Sequence, residues 1–191
     1  MKNKVKIAIV VLVVALGVFG SYNQYKIFRY KKNLKEFREQ SLISIARSRY
    51  ICEDLRKVWH GYIFDDEKYF ESSSGEFYKR SYYGGDYEYC SNFSEAVHKK
   101  IEWFEAKLPN DIDQPYYIAR TLYKEMTPPP SKYKEAHIYV KQMFKAMERL
   151  HELSGSPKGN LSSYVDNCNE CMDDFSSAMQ DLTIETGIDF D

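Results

Sequence analysis

The stretch that most constrains this chain is its last apolar seam. Leu161, Tyr164, Cys168, Cys171, Phe175, Ala178 and Leu182 recur at alternating steps of three and four residues. Six such steps in succession fit a helix that buries one narrow face against another helix, and they fit no strand period. Immediately upstream, Tyr133, Ala136, Val140, Met143, Met147 and Leu150 follow the same rule, with Lys134, Glu135, Lys141, Lys145 and Glu148 largely on the other side. Between the two seams lies Ser154-Gly155-Ser156-Pro157-Lys158-Gly159. Glycine offers positive φ and proline cannot continue a helix, so this segment is a turn, and Asn160 is placed to cap the second arm. Pro128, Pro129 and Pro130 close the first arm at its other end, with Ser131 standing where an N-cap is expected. The sequence therefore predicts an antiparallel helical hairpin.

The remaining pattern adds helices to that hairpin. Leu34, Phe37, Ile45, Ser48, Cys52, Leu55, Trp59 and Tyr62 predict a long helix from residue 31 to about 65. Asn92 with Glu95 has capping-box spacing and predicts a helix to about Leu108, with Phe93, Val97, Ile101 and Phe104 inside. Asp113 and Pro115 suit the start of a shorter helix that buries Ile118, Leu122 and Met126. The expected fold is all-α: an antiparallel bundle of about four long helices and one short one, over residues 29–184. Residues 66–90 form a Tyr/Gly-rich loop within it, and alternation at 77–83 and 87–90 also permits a short hairpin. An acidic tail follows at 185–191.

The amino terminus is of a different kind. Residues 7–22 are sixteen apolar or uncharged residues preceded by Lys2, Lys4 and Lys6. With the flanking turns the run approaches the ~20 residues needed to cross a bilayer. A cleaved signal peptide is the rival reading, but no A-x-A site follows, and the absence of a cysteine just after the run excludes a lipoprotein. Residues 1–28 are thus expected to be a transmembrane helix with basic flanks. The short basic start suits a C-terminal domain outside the membrane, whereas Lys26, Arg29, Lys31, Lys32, Lys35 and Arg38 favour the opposite topology if positive charges are merely counted. The expectation kept here is a single-pass cell-membrane protein with an extracytoplasmic domain. No Pro or Gly follows Gly20 before the first long helix, so that helix can be continuous with the anchor.

Composition limits function further. The net charge of −1 argues against a bulk polyanion partner, so no nucleic acid is expected. Charge is nonetheless segregated: residues 26–49 are basic, and beyond Lys158 the charged residues are all acidic. Alignment of the first and last helices is the simplest use of that asymmetry. Tyrosine is the outlier, at 17 residues. Tyr78, Tyr82, Tyr83 and Tyr87 lie among turn residues, and exposed tyrosines offer rigid contact area with a polar tip, so they are the expected ligand-binding surface for a protein or glycan partner.

The chain holds four cysteines. Cys168 and Cys171 form a CxxC, which raises thiol-redox and zinc chemistry. However, the motif lies two turns inside a helix with no preceding strand, and no second CxxC completes a metal site. Cys52, Cys90, Cys168 and Cys171 are also disulfide candidates. A bridge from Cys52 to the last helix is the first pairing to test, leaving Cys90 for the other, and buried free thiols are the alternative. No nucleophile elbow, phosphate-cradling loop or paired carboxylates are present. The expected function is accordingly a binding or structural module without catalysis, cofactor or metal, with a redox or zinc protein using Cys168 and Cys171 as the alternative.

The paired prolines, the tyrosine-bearing helix, Ser156-Pro157-Lys158-Gly159-Asn160-Leu161-Ser162-Ser163-Tyr164 and the final helix with its spaced Phe175 resemble a pattern in small membrane-anchored helical proteins of Gram-positive bacteria. Val58-Trp59 and Phe93-x-x-Ala96 fit the same pattern, over roughly residues 40–183. The resemblance implies a fold and an anchor, and no reaction. The cysteines are not part of it.

Overall fold

The computed structural model describes residues 2–64, 80–83, 86–89, 93–107 and 113–187, with side chains described at 20–60, 63, 94–104, 106 and 113–187. Within these the protein is an all-α bundle. Its helices are α1 (Lys2–Phe64), α2 (Phe93–Lys107), α3 (Gln114–Glu125), α4 (Lys134–Gly155) and α5 (Leu161–Thr186). Two four-residue strands, β1 (Arg80–Tyr83) and β2 (Asp86–Tyr89), pair antiparallel between α1 and α2.

α1 is one uninterrupted helix of 63 residues, about 95 Å long at the usual rise. Every other helix of the bundle packs against it. Its buried stripe includes Leu34, Phe37, Ile45, Ser48, Cys52, Leu55 and Trp59, as the spacing predicts, and begins earlier, at Tyr30. The stripe is wider than predicted, because Asn33, Ser41, Ser44, Ile51, Asp54 and Val58 are buried too. Wrapping by helices on more than one side accounts for that: α3, α4 and α5 meet one flank, and α2 reaches another through Phe104, whose ring packs edge-on against Tyr50 at 5.9 Å.

The hairpin of α4 and α5 supplies the other half of the core. All six expected α4 positions are buried, together with Phe144 and Ala146. On α5, Tyr164, Cys171, Phe175, Ala178 and Leu182 are buried, while Leu161 and Cys168 are partly so. The turn behaves as its residues dictate. Gly159 takes φ +90°, and a Cβ there would stand 2.5 Å from Ser163 Oγ. Asn160 closes a reciprocal cap: its side chain accepts from Ser163 N at 2.8 Å, and its own N–H donates to Ser163 Oγ at 3.0 Å.

Two expectations about helix ends are corrected. Ser131 does not cap α4. It opens a single 3₁₀ turn (Ser131–Tyr133) that swings Tyr133 into the core, where its ring stacks on Tyr30 at 4.8 Å. Asp113 and Pro115 do open α3 as expected: Asp113 stands at the N-cap position, without a side-chain bond, and Pro115 occupies the first turn, where a missing N–H costs nothing. The acidic tail also begins later than residue 185, since α5 runs to Thr186 and ends on Gly187 in the left-handed conformation.

The partner of the acidic α5 face differs from the one expected. Arg149 of α4, rather than the basic part of α1, reaches Glu170 at 2.8 Å and Asn167 at 2.6 Å. The end of α1 nearest the apolar run is tied instead to α3, where Glu125 accepts from Arg29 and Asn33, both at 3.0 Å. These bonds hold the Glu125 carboxyl below its usual range.

One buried charge was not foreseen. Lys100 of α2 is fully buried, with its ammonium 3.0 Å from Asp54 on α1 and 4.1 Å above the Trp103 ring. Asp54 also takes Lys57 at 3.2 Å. An ion pair out of water is stabilising only while both partners remain, because a lone buried charge is strongly unfavourable. We expect Asp54→Ala to lose about 3–5 kcal/mol of stability. The double change Asp54→Leu with Lys100→Met should recover much of that loss, as read by denaturant unfolding.

Candidate functional site

The described residues converge on chemistry at one place, where α1 and α5 diverge above the α4 carboxy-terminal turn. Cys52 belongs to the buried stripe of α1, and Tyr164 and Cys168 are one helical turn apart on α5. All three line a groove of 580 Å³ whose other walls include Arg49, Arg56 and Leu150. Trp59 floors the same corner, its ring 5.3 Å from that of Tyr164. Cys52 Sγ lies 4.0 Å from the Leu150 carbonyl, and the Tyr164 hydroxyl lies 3.4 Å from that of Leu153.

The three polar groups influence one another. The Cys52 thiol points to the Leu150 carbonyl and the Tyr164 hydroxyl donates to that of Leu153, and the Cys52, Cys168 and Tyr164 side chains lie close enough to perturb one another's titration. The consequences differ by position. Interaction with Cys52, aided by Tyr164 and the nearby Arg149 guanidinium, holds the Cys168 thiol below its ordinary range despite partial burial. Cys52 goes the other way, through the same interaction and burial. Burial likewise raises the Tyr164 hydroxyl, which therefore stays protonated. A thiol held low beside a guanidinium is the usual setting of a reactive cysteine.

This arrangement reassigns the CxxC. Cys171 is fully buried on the α4-facing side of α5, and burial pushes its thiol up to about 11. Cys168 interacts instead with Cys52, 116 positions away in the chain. Cys52, Cys168 and Cys171 are free thiols here, and Cys90 lies outside the described residues. No group of three or more His, Cys, Asp or Glu side chains among the described residues is gathered closely enough to hold a metal ion.

Sequence reasoning named Cys52 and Cys168 but missed Tyr164 and Arg149 as their neighbours. Tyr164 was assigned only a seam position, and its hydroxyl was the available signal, since a buried phenol seeks a partner. Of the tyrosines proposed as a ligand surface, Tyr82 is paired opposite Tyr87 and Tyr83 opposite Asp86 in the β1–β2 ladder. Tyr78 lies outside the described residues, as do the side chains of the other three.

Two histidines, His137 and His151, sit among aromatic rings of the core. His137 bridges Tyr30 Oη at 3.1 Å and Thr127 Oγ1 at 3.2 Å, and its ring lies nearly parallel to Tyr123. Burial and the nearby Lys141 lower its pKa. His151 stacks on Tyr116 with ring centres 4.0 Å apart.

Compared with known protein families, curated proteins and solved structures, the chain matches none.

The environment of each thiol sets an order of reactivity. Near neutral pH, Cys168 should alkylate roughly tenfold or more faster than Cys52 or Cys171, because only the thiolate reacts. Timed iodoacetamide labelling of the folded chain with peptide mapping measures this. Comparable rates at all three sites would contradict the arrangement.

Proposed function

We propose that the protein is a single-pass, membrane-anchored helical module that displays its bundle outside the cytoplasmic membrane in a binding or structural role. The observation that carries this is the way α1 leaves the bundle. From residue 20 to 29 the helix is exposed at all but one position, and Tyr22, Tyr25 and Phe28 are 54, 60 and 69% exposed. The Lys26 ammonium sits 4.6 Å above the Tyr22 ring. Aromatic rings beside lysines and arginines, directly after an apolar run, are the composition of a membrane–water interface, where an amphipathic ring lies at headgroup depth. Arg29, Lys31, Lys32 and Lys35 follow within two turns and suit anionic headgroups.

Among the described residues no helix is long and apolar enough to cross a membrane. The run at 7–22 lies almost wholly outside the residues with described side chains, and the anchor rests on the sequence together with the exposed collar beyond it. The short basic amino terminus supports the outward orientation. In this reading α1 is a mast: the same helix that enters the membrane organises the bundle, so the domain stands at a fixed height above the headgroups. The β1–β2 hairpin with Tyr82, Tyr83 and Tyr87 is the surface we assign to a protein or glycan ligand, on the strength of its tyrosine content.

Carbonate extraction of membranes from cells producing the full chain tests the anchor. The full chain should stay in the pellet, and a chain beginning at residue 23 should move to the supernatant. Protease added to intact spheroplasts should digest the bundle. Full-length protein in the carbonate supernatant would overturn the anchor, and protection from protease would overturn the orientation.

A further inference from the structure

We propose that Cys52 and Cys168 form a thiol–disulfide exchange pair opening on the α1–α5 groove and taking a low-molecular-weight disulfide that carries carboxylates. This goes beyond the anchored-module reading and does not depend on it. Four observations meet at the site. Both sulfurs line one groove, and its 580 Å³ is the size of a small-molecule pocket. Cys168 is only partly covered while Cys52 is buried, so an incoming reagent meets Cys168 first. Tyr164 is fully buried and lines the same groove, its hydroxyl interacting with both thiols. Arg56 stands on the groove wall, where a guanidinium group suits a carboxylate, while Arg49 on the same wall is taken up by Glu53 at 2.8 Å and Asp173 of α5 also lines the groove.

The steps balance as ordinary exchange. The Cys168 thiolate attacks one sulfur of the incoming disulfide. A new S–S bond forms, the old one breaks, and one small thiolate leaves and takes a proton from water. Cys52 then gives up its proton and attacks the Cys168 sulfur of the mixed disulfide, expelling the second small thiol. Net, two protein thiols are oxidised to one disulfide and one small-molecule disulfide is reduced to two thiols. Cys168 suits the first role because its charged form is the better supported. Cys52 suits the second because it lines the same groove as Cys168 but lies buried behind it. Cys171, fully buried, takes no part.

The product would staple α1 to α5 at the end of the bundle far from the apolar run. Among the described residues that end has few other ties between these two helices besides the Trp59–Tyr164 ring contact. Reduction would release the staple without disturbing the α4–α5 seam below it.

The test uses the full detergent-solubilised chain equilibrated with oxidised and reduced glutathione, then acid-quenched, alkylated and mapped by mass spectrometry. Wild type should yield a Cys52–Cys168 linked peptide, reversed by excess reduced glutathione. Cys52→Ser should instead accumulate glutathione on Cys168, Cys168→Ser should trap none at Cys52, and Cys171→Ser should behave as wild type. Circular dichroism on each variant separates loss of exchange from loss of fold. If a variant unfolds, the native chain still decides through the linked peptide it does or does not give. A Cys168–Cys171 bridge, or thiols at Cys52 and Cys168 that stay free in oxidised glutathione, would overturn the proposal. So would a folded Cys52→Ser chain that traps no glutathione.

Discussion

Everything in this structure leans on the continuity of α1. A helix of 63 residues has its backbone hydrogen bonds satisfied internally, so it needs no partner to stay straight, but it needs partners to cover its apolar stripe. The other helices are arranged along it as such cover. Near the collar the cover is α3 and the start of α4, through rings that stack in sequence: Tyr30 on Tyr133, and His137 and Phe144 on opposite sides of Tyr123. Farther along, α2 covers the flank at Tyr50 and Asp54, and α5 covers Cys52 and Trp59.

The two polar features of the core lie on the far half of that mast and have opposite logic. Asp54 and Lys100 form a buried ion pair whose hydrogen-bonding capacity is taken up locally, with the Trp103 and Phe104 rings beneath the ammonium. Such a pair adds little net stability over a well-packed apolar pair, but it forbids other registers of α2, since any slip strands a charge. The Cys52–Tyr164–Cys168 cluster is open on one side, and its groups titrate against one another. The first feature fixes where α2 sits, while the second leaves chemistry accessible.

Much of this was legible from residue spacing. The seams of α4 and α5 were readable position by position, because a helix buried on one narrow face imprints its period on the sequence. The Asn160 cap and the Gly159 turn were readable because few residue types can occupy those conformations. α1 was readable as a helix but not in its buried width, since wrapping from two sides buries Asn33, Ser41 and Ser44, which a one-face pattern assigns to solvent. Lys100 was hidden for the same reason: its partner Asp54 is 46 positions away, and neither residue advertises the pair locally. At the candidate site, the seam positions placed Cys52 and the last helix's cysteines on apolar faces. The choice of Cys168 over Cys171 did not follow from them, because a narrow seam does not say which of two neighbouring positions lies at its open edge.

The most direct test of the account is the length and rigidity of α1 itself. Spin labels can be placed at the exposed positions Gly20 and Ile63, in a chain whose native cysteines have been replaced, and their separation measured by double electron–electron resonance in lipid nanodiscs. An unbroken helix sets these positions about 65 Å apart at 1.5 Å per residue, with one narrow distribution. A broad distribution, or a main distance well short of that, would show a hinge within α1 and would contradict the continuous helix on which the rest of the structure is built.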